Sequence, residues 1–247
     1  MPNLYSNNND GWITSNNQSS WAAARDITSG GTPDVNDTAT SFPVMSARFG
    51  GRGGSNTYRV IRSFMYFDTS GITGTVSAAT IKIRGYNQSS GSIIAVKSTA
   101  FGGDGGTALA AGDIDAIVGW TTGASAEGNV TKYSSPALGA GLATTWSTSG
   151  YNDLASTSDL RSDMQNNNVV IICFMDYTYD YLNTALTSNA SYGIGFYWTD
   201  YTGTSRDPYI EYTVATGYAN KVNGVGPLEI GKINGVATAS IEKVNGI

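Results

Sequence analysis

The side chains able to do chemistry are few in kind: carboxylates, tyrosines and a single thiol, with no histidine anywhere in the 247 residues. Without histidine there is no Ser-His-Asp or Cys-His catalysis, no imidazole zinc ligand and no imidazole general base. One cysteine cannot build a thiolate metal site or an internal disulfide. Cys173 sits in the run Val169-Val170-Ile171-Ile172-Cys173-Phe174-Met175. There it reads as a small buried hydrophobe rather than a reactive thiol.

Carboxylates could still act in pairs. A glycosidase needs two of them facing a cleft about 5–9.5 Å apart. Asp176 and Asp180 flank Tyr177-Thr178-Tyr179, and Asp200 and Asp207 flank a second loop. Spacing in sequence does not make either pair converge, and loop aspartates usually form turns. Asp34, Asp37 and Asp104, the last in Gly102-Gly103-Asp104-Gly105-Gly106, offer oxygen ligands for calcium. None follows the spacing of a calcium loop, so a glycine turn is expected. No catalytic residue, metal site or cofactor is therefore assigned.

The aromatic residues carry more. Tyr177, Tyr179 and Tyr181 are followed by Tyr197, Trp198 and Tyr201. Such rings stack on sugars and anchor protein interfaces. If residues 176–181 are extended, alternation puts the three tyrosines on one side. The competing reading has these rings covering the end of the fold or its core.

The elements that must position these groups read as strands. Residues 79–86 alternate, with Ile81 and Ile83 on one face and Lys82 and Arg84 on the other. Residues 58–67 form an aromatic-rich strand. Residues 169–174 are continuously apolar, as in a strand covered on both faces. Residues 192–198 and 208–214 are two more. Helix is scarce: residues 158–165 predict one short helix with Ser158 as N-cap, and residues 113–118 another turn. Many short strands with turn-rich links point to a sandwich or jelly roll.

The last stretch differs. Lys221-Val222-Asn223-Gly224-Val225, Lys232-Ile233-Asn234-Gly235-Val236 and Lys243-Val244-Asn245-Gly246-Ile247 recur every 11 residues. Each Asn-Gly could be a tight hairpin turn. Alternatively the units are short helical turns with Gly235 and Gly246 as left-handed C-caps. Pro227 and the lysine positions tilt the balance to the helical form. Val222, Val225, Ile230, Ile233, Val236, Ile241 and Val244 make residues 217–247 too apolar to stay free, yet too few for a core of their own. They are expected to be an assembly or anchoring contact.

Charged residues are only 13% and the net charge is −5. No basic stripe exists for a phosphate backbone, which excludes nucleic acid. No run of 18 apolar residues could insert in a membrane. Residues 1–7 lack the basic flank and apolar stretch of a secretory signal. A neutral surface rich in hydroxyls and amides suits an extracellular or virion protein. A virion protein made in the host cytoplasm and released by lysis accounts for both observations, and an extracellular fragment whose signal was removed is the alternative.

Several segments resemble a known family. Asp10-Gly11-Trp12-Ile13 and Trp21-Ala22-Ala23-Ala24-Arg25 are similar to the opening of DNRLRE-type domains. Arg62-Ser63-Phe64-Met65-Tyr66-Phe67-Asp68-Thr69-Ser70, followed by Val76-Ser77-Ala78-Ala79-Thr80-Ile81, resembles their central signature. Ser205-Arg206-Asp207-Pro208-Tyr209-Ile210-Glu211-Tyr212 resembles their closing strand. The resemblance spans residues 1–216 and implies an antiparallel jelly-roll β-sandwich, found on bacterial surface proteins and in phage structural proteins, with no catalytic residues to carry over. The repeats resemble tails of phage structural proteins.

The expectation is thus an all-β sandwich over residues 1–216 with a short C-terminal repeat extension. Its role would be that of a non-enzymatic phage virion-surface protein contacting other virion proteins and copies of itself. A carbohydrate- or receptor-binding adhesin using the tyrosines on a host-surface glycan is the alternative, and a polysaccharide-degrading enzyme is the least favoured.

Overall fold

A computed structural model describes residues 1–35, 41–215, 232–233 and 236–237. The elements run β1 (Asn3–Tyr5), β2 (Gly11–Thr14), α1 (Trp21–Arg25), β3 (Val44–Gly50), β4 (Asn56–Asp68), β5 (Val76–Ser89) and β6 (Ser92–Lys97). There follow β7 (Leu138–Gly139), β8 (Tyr151–Ala155), α2 (Ser158–Asn166), β9 (Val169–Met175), β10 (Ala190–Phe196) and β11 (Tyr209–Val214). Lys232–Ile233 and Val236–Ala237 are β12 and β13.

The architecture is an all-β antiparallel sandwich. A small layer runs β1-β11-β5-β8. A large layer runs β10-β3-β4-β9-β6, with β2 added on β4 and β7 on β6. The layers share β5: its first half pairs β11 and β8, and its second half pairs β10 across a bulge at Gly195/Phe196. A bulge bends and twists a strand, and here it lies where β5 passes between layers.

The alternation of β5 has the expected consequence. Ile81 and Ile83 are fully buried between the layers, with Leu154 and Ile210 from the small layer and Met65, Phe67, Val170, Ile172, Phe174, Ile194 and Phe196 from the large one. Lys82 and Arg84 take the outer face. Strand β9 is buried on both faces, as its unbroken apolar run requires. Ile172 and Phe174 face the inter-layer core, while Ile171, Cys173 and Met175 face a second core with Phe64 and Tyr66 of β4. That second core is closed by the segment between β6 and β7, through Phe101, Leu109, Ile114, Ile117, Ala126 and Val130. This cover of some 40 residues contains no strand, and nothing in its period announced it.

Two local readings need correction. The N-cap of α2 is Thr157, one residue before Ser158: its Oγ1 accepts the Leu160 N–H at 3.4 Å and donates to the Lys132 carbonyl at 2.6 Å. In the repeats, β12 and β13 pair antiparallel, with Lys232 opposite Ala237 and Ile233 opposite Val236. This unit takes the hairpin form, not the helical one, consistent with the preference of Asn-Gly for two-residue β links. Val222, Val225, Ile230, Ile241 and Val244, and with them the rest of the tail contact, lie outside the described residues, as does Asp37.

Candidate functional site

Asp180 is the fixed point around which the tyrosine segment is built. Residues Tyr177–Tyr181 form a π-helical turn, not an extended piece. Asp176 caps it by accepting the Tyr179 N–H at 3.4 Å, while the N–H of Tyr181 reaches the Asp176 carbonyl at 2.9 Å. The Asp180 carboxylate is gripped at both oxygens by Arg62 of β4, Nε and Nη2 each donating at 2.7 Å. Arg62 also donates to the carbonyls of Ile114 and Arg25, each at 2.8 Å. Arg25, the last residue of α1, donates its Nε to the Asp180 carbonyl at 2.8 Å and its Nη1 to Asp26 at 2.9 Å. Both guanidinium carbons lie just over 4 Å from the centre of the Trp120 ring, at 4.1 and 4.2 Å. Trp120 follows Gly119, whose φ is +86° and whose absent Cβ leaves room for the Asn129 carbonyl. Arg25, Arg62 and Asp180 are all fully buried.

This geometry gives Asp176 and Asp180 separate structural roles. Asp180 is committed to Arg62. Asp176 is buried against Ser92, whose hydroxyl donates to it at 2.8 Å, and burial pushes its carboxyl up to about 6. The two support a turn instead of facing a shared cleft. Asp207 is buried and Asp200 is exposed. Asp104 closes its glycine loop by accepting the Gly106 N–H at 2.8 Å, and Asp34 pairs through its backbone with Trp12. Among the described residues no cluster of three or more carboxylates or other ligating side chains is placed to hold a metal ion.

The wide turn separates the three tyrosines. Tyr177 and Tyr181, four apart, stack with centroids at 5.6 Å and planes 18° apart. Tyr179 leaves in another direction and packs on Tyr192 of β10 at 4.3 Å. Tyr177 and Tyr181 form one wall of a cleft of about 210 Å³. Its other walls include Ile94, Ala137 and Leu142, with Glu127 and Lys132 at the exposed rim. Tyr181 is 1% exposed, and its buried hydroxyl has no hydrogen-bond partner in the fold. Burial, then the nearby Glu127 carboxylate, pushes that phenol up to about 12.

The second group divides as well. Trp198 belongs to the inter-layer core, packed on Phe196 at 5.0 Å, so it presents no surface to a partner. Tyr197 and Tyr201 are half-buried neighbours at 4.6 Å, with the Arg206 guanidinium 4.6 Å from each ring. Tyr86 joins them, edge-on to Tyr197 at 5.0 Å. A further row crosses the outer face of the small layer: Tyr5 against Tyr209 at 5.6 Å and Tyr209 against Tyr151 at 5.2 Å. Beside it Lys82 pairs with Asp153 at 2.7 Å. Sequence reasoning missed Tyr5, Tyr86, Tyr151 and Tyr209 because they come from four segments. Only the register of β1, β11, β5 and β8 brings Tyr5, Tyr209 and Tyr151 together, and only the pairing of β5 with β10 brings Tyr86 to Tyr197.

A larger concavity, about 610 Å³, has a mixed lining that includes Lys97, Asp104, Tyr133, Ile171 and the run Asn166, Asn167 and Asn168. Three of these lining residues converge on Asp163, whose carboxylate accepts from Lys97 at 2.8 Å, Tyr133 at 2.5 Å and Asn167 at 3.0 Å.

The fold is that of an all-β sandwich protein whose large sheet is covered on both faces and which carries clustered tyrosines outside its inter-layer core. No family model and no curated protein matches the chain.

Proposed function

We propose that the chain is a non-enzymatic structural protein of a bacteriophage virion, in which the sandwich is displayed on the particle surface and the repeat tail fastens it. The observation that carries this reading is the polarity of the sandwich. Strand β11 ends at Val214 opposite Val76, and the N–H of Ala215 bonds the Thr75 carbonyl. At that same pole β4 ends at Asp68 opposite Val169, where β9 begins. The chain therefore leaves for its tail at one pole. Strand β9 then runs to the other pole, where the Tyr177–Tyr181 turn follows it. The point where β11 ends and the aromatic turn thus lie at opposite poles, which suits a sandwich held through its tail and displayed by its other end.

Three further features agree with the reading. The charge-poor, hydroxyl-rich composition suits a protein working outside a cell. The resemblance to DNRLRE-type domains points to surface-displayed structures. The apolar 11-residue repeat has the character of an assembly contact. The test is quantitative mass spectrometry of purified particles, with immunogold labelling of intact ones by antibody to the sandwich. Stoichiometric copies and surface label are expected. A chain absent from purified particles would overturn the reading.

A further inference from the structure

We infer that the cleft walled by Tyr177 and Tyr181 is a binding site for a single N-acetylated hexosamine ring, the terminal sugar of a surface glycan. This goes beyond the display reading and stands without it, because it rests on the cleft alone.

Size is the first argument. Drug-sized ligands occupy roughly 300–1,000 Å³, so a cleft of about 210 Å³ suits one ring and not an extended chain. The aromatic wall is the second. Tyr177 is half-buried and held parallel to Tyr181, so a ring face is fixed before any ligand arrives. Apolar C–H faces of a pyranose pack on such a face, and a preset wall lowers the ordering cost of binding. The turn carrying it cannot easily shift, because Asp180 within it is locked to Arg62.

Polarity narrows the ligand further. The buried Tyr181 hydroxyl lacks a partner, an arrangement that costs stability unless something supplies one. Glu127 can accept hydrogen bonds and Lys132 can donate them, as the hydroxyls and amide of a sugar require. A plain hexose would leave Ile94, Ala137 and Leu142 facing hydroxyls. An acetyl methyl matches that apolar side, and the amide beside it can meet the charged rim. A single lysine and a net charge of −5 give a phosphorylated ligand little to bind.

The test uses the full chain and five free sugars: N-acetylglucosamine, N-acetylgalactosamine, glucose, galactose and mannose, each titrated to millimolar concentration and followed by saturation-transfer NMR. At least one N-acetylated sugar should bind about tenfold more tightly than all three plain hexoses. Tyr177→Ala should weaken it about tenfold, while Tyr177→Phe keeps it. Tyr181→Phe should weaken binding several-fold without lowering the thermal transition of the free protein, since it removes an unpartnered hydroxyl. Glu127→Ala and Lys132→Ala, both at exposed positions, report on the rim even if Tyr177→Ala folds poorly, and each should weaken binding. Tyr201→Ala, on the separate aromatic patch, should not. The inference is overturned if none of the five sugars binds, if the plain hexoses bind equally well, or if binding survives both rim substitutions. Loss of the chain from virions would sink the display reading and leave this one intact.

Discussion

Cys173 shows how a residue's chemistry is set by its neighbours. It is fully buried between Ile172 and Phe174, opposite Phe64 and Val96, and burial pushes its thiol up, away from the reactive thiolate. The native protein should resist a charged disulfide reagent until it unfolds, and fast labelling would contradict this. Cys173→Ser should lower stability by about 1–3 kcal/mol, because a hydroxyl there has no ready partner. The buried ion pair makes a stronger demand. Arg62→Met leaves the buried Asp180 carboxyl with only the longer Arg25 contact at 3.6 Å, and orphans the Ile114 and Arg25 carbonyls. Breaking a buried pair this way costs about 3–5 kcal/mol. Lys82→Met, at the outer-face pair with Asp153, should cost no more than about 1 kcal/mol. Denaturant unfolding of the two variants reads the contrast, and equal losses would remove the case for Asp180 as the anchor of the tyrosine turn.

Two buried acids also give the fold a pH dependence. Burial holds Asp10 up to about 7 and Asp176 up to about 6, against an ordinary value of 3.8. The folded chain therefore binds more protons than the unfolded one between about pH 4 and 7. By linkage their contribution to stability falls as pH rises through that window. Asp10 sits between Ser6 and Thr199, whose hydroxyls reach its Oδ2 at 3.2 and 2.8 Å, while its Oδ1 has no partner in the fold. Replacing both acids by asparagine should flatten the fall of the melting temperature between pH 4.5 and 7.5. Superimposable profiles for parent and variant would show that neither acid titrates in that range.

At the scale of elements, α2 and the repeat hairpin show where local sequence signals are ambiguous. Thr157 and Ser158 are both of residue types that cap helices well, and the sequence reading gave the cap to Ser158. Thr157 wins because the backbone turns extended there and because Lys132 offers its hydroxyl a second partner. Thr157→Ala should cost about 1 kcal/mol, whereas Ser158→Ala should be near neutral. Thermal melts of the two single variants decide it, and the reverse order would restore the original reading. In the tail, the lysine and proline positions argued for helical turns. Cross-strand pairing of Ile233 with Val236 shows that the Asn-Gly preference outweighs them in that unit.

For the whole molecule, the described residues up to Ala215 already make a sandwich with a filled core. Among the described residues its two larger cores draw on side chains no later than Tyr212, and β1 covers the outer edge of β11. A chain truncated after Ala215 should keep the thermal transition of the sandwich. If residues 217–247 are the assembly contact, it should also lose self-association or attachment to particles, read by analytical ultracentrifugation and co-sedimentation. Normal assembly of the truncated chain would make the tail a passive extension.

The period-two pattern of residues 79–86 and the apolar run at 169–174 were enough to establish the all-β class and two of its central strands, because side-chain alternation is a local property of the backbone. The absence of histidine likewise excluded whole classes of catalysis before any fold was considered. What sequence could not decide was which polar and aromatic residues meet. Whether Asp176 and Asp180 converge was open in the sequence; they prove to be a cap and a salt-bridge partner, because Arg62 lies 118 residues away in sequence and only the packing of β4 brings it near. Tyr177, Tyr179 and Tyr181 looked like one row. The π-helical turn split them, setting two against a cleft and one against Tyr192. Trp198 looked like a contact residue and is core, following Ile194 and Phe196 into the same cluster just past the end of β10. Such outcomes depend on register, turn geometry and long-range charge pairing, which only the tertiary structure sets.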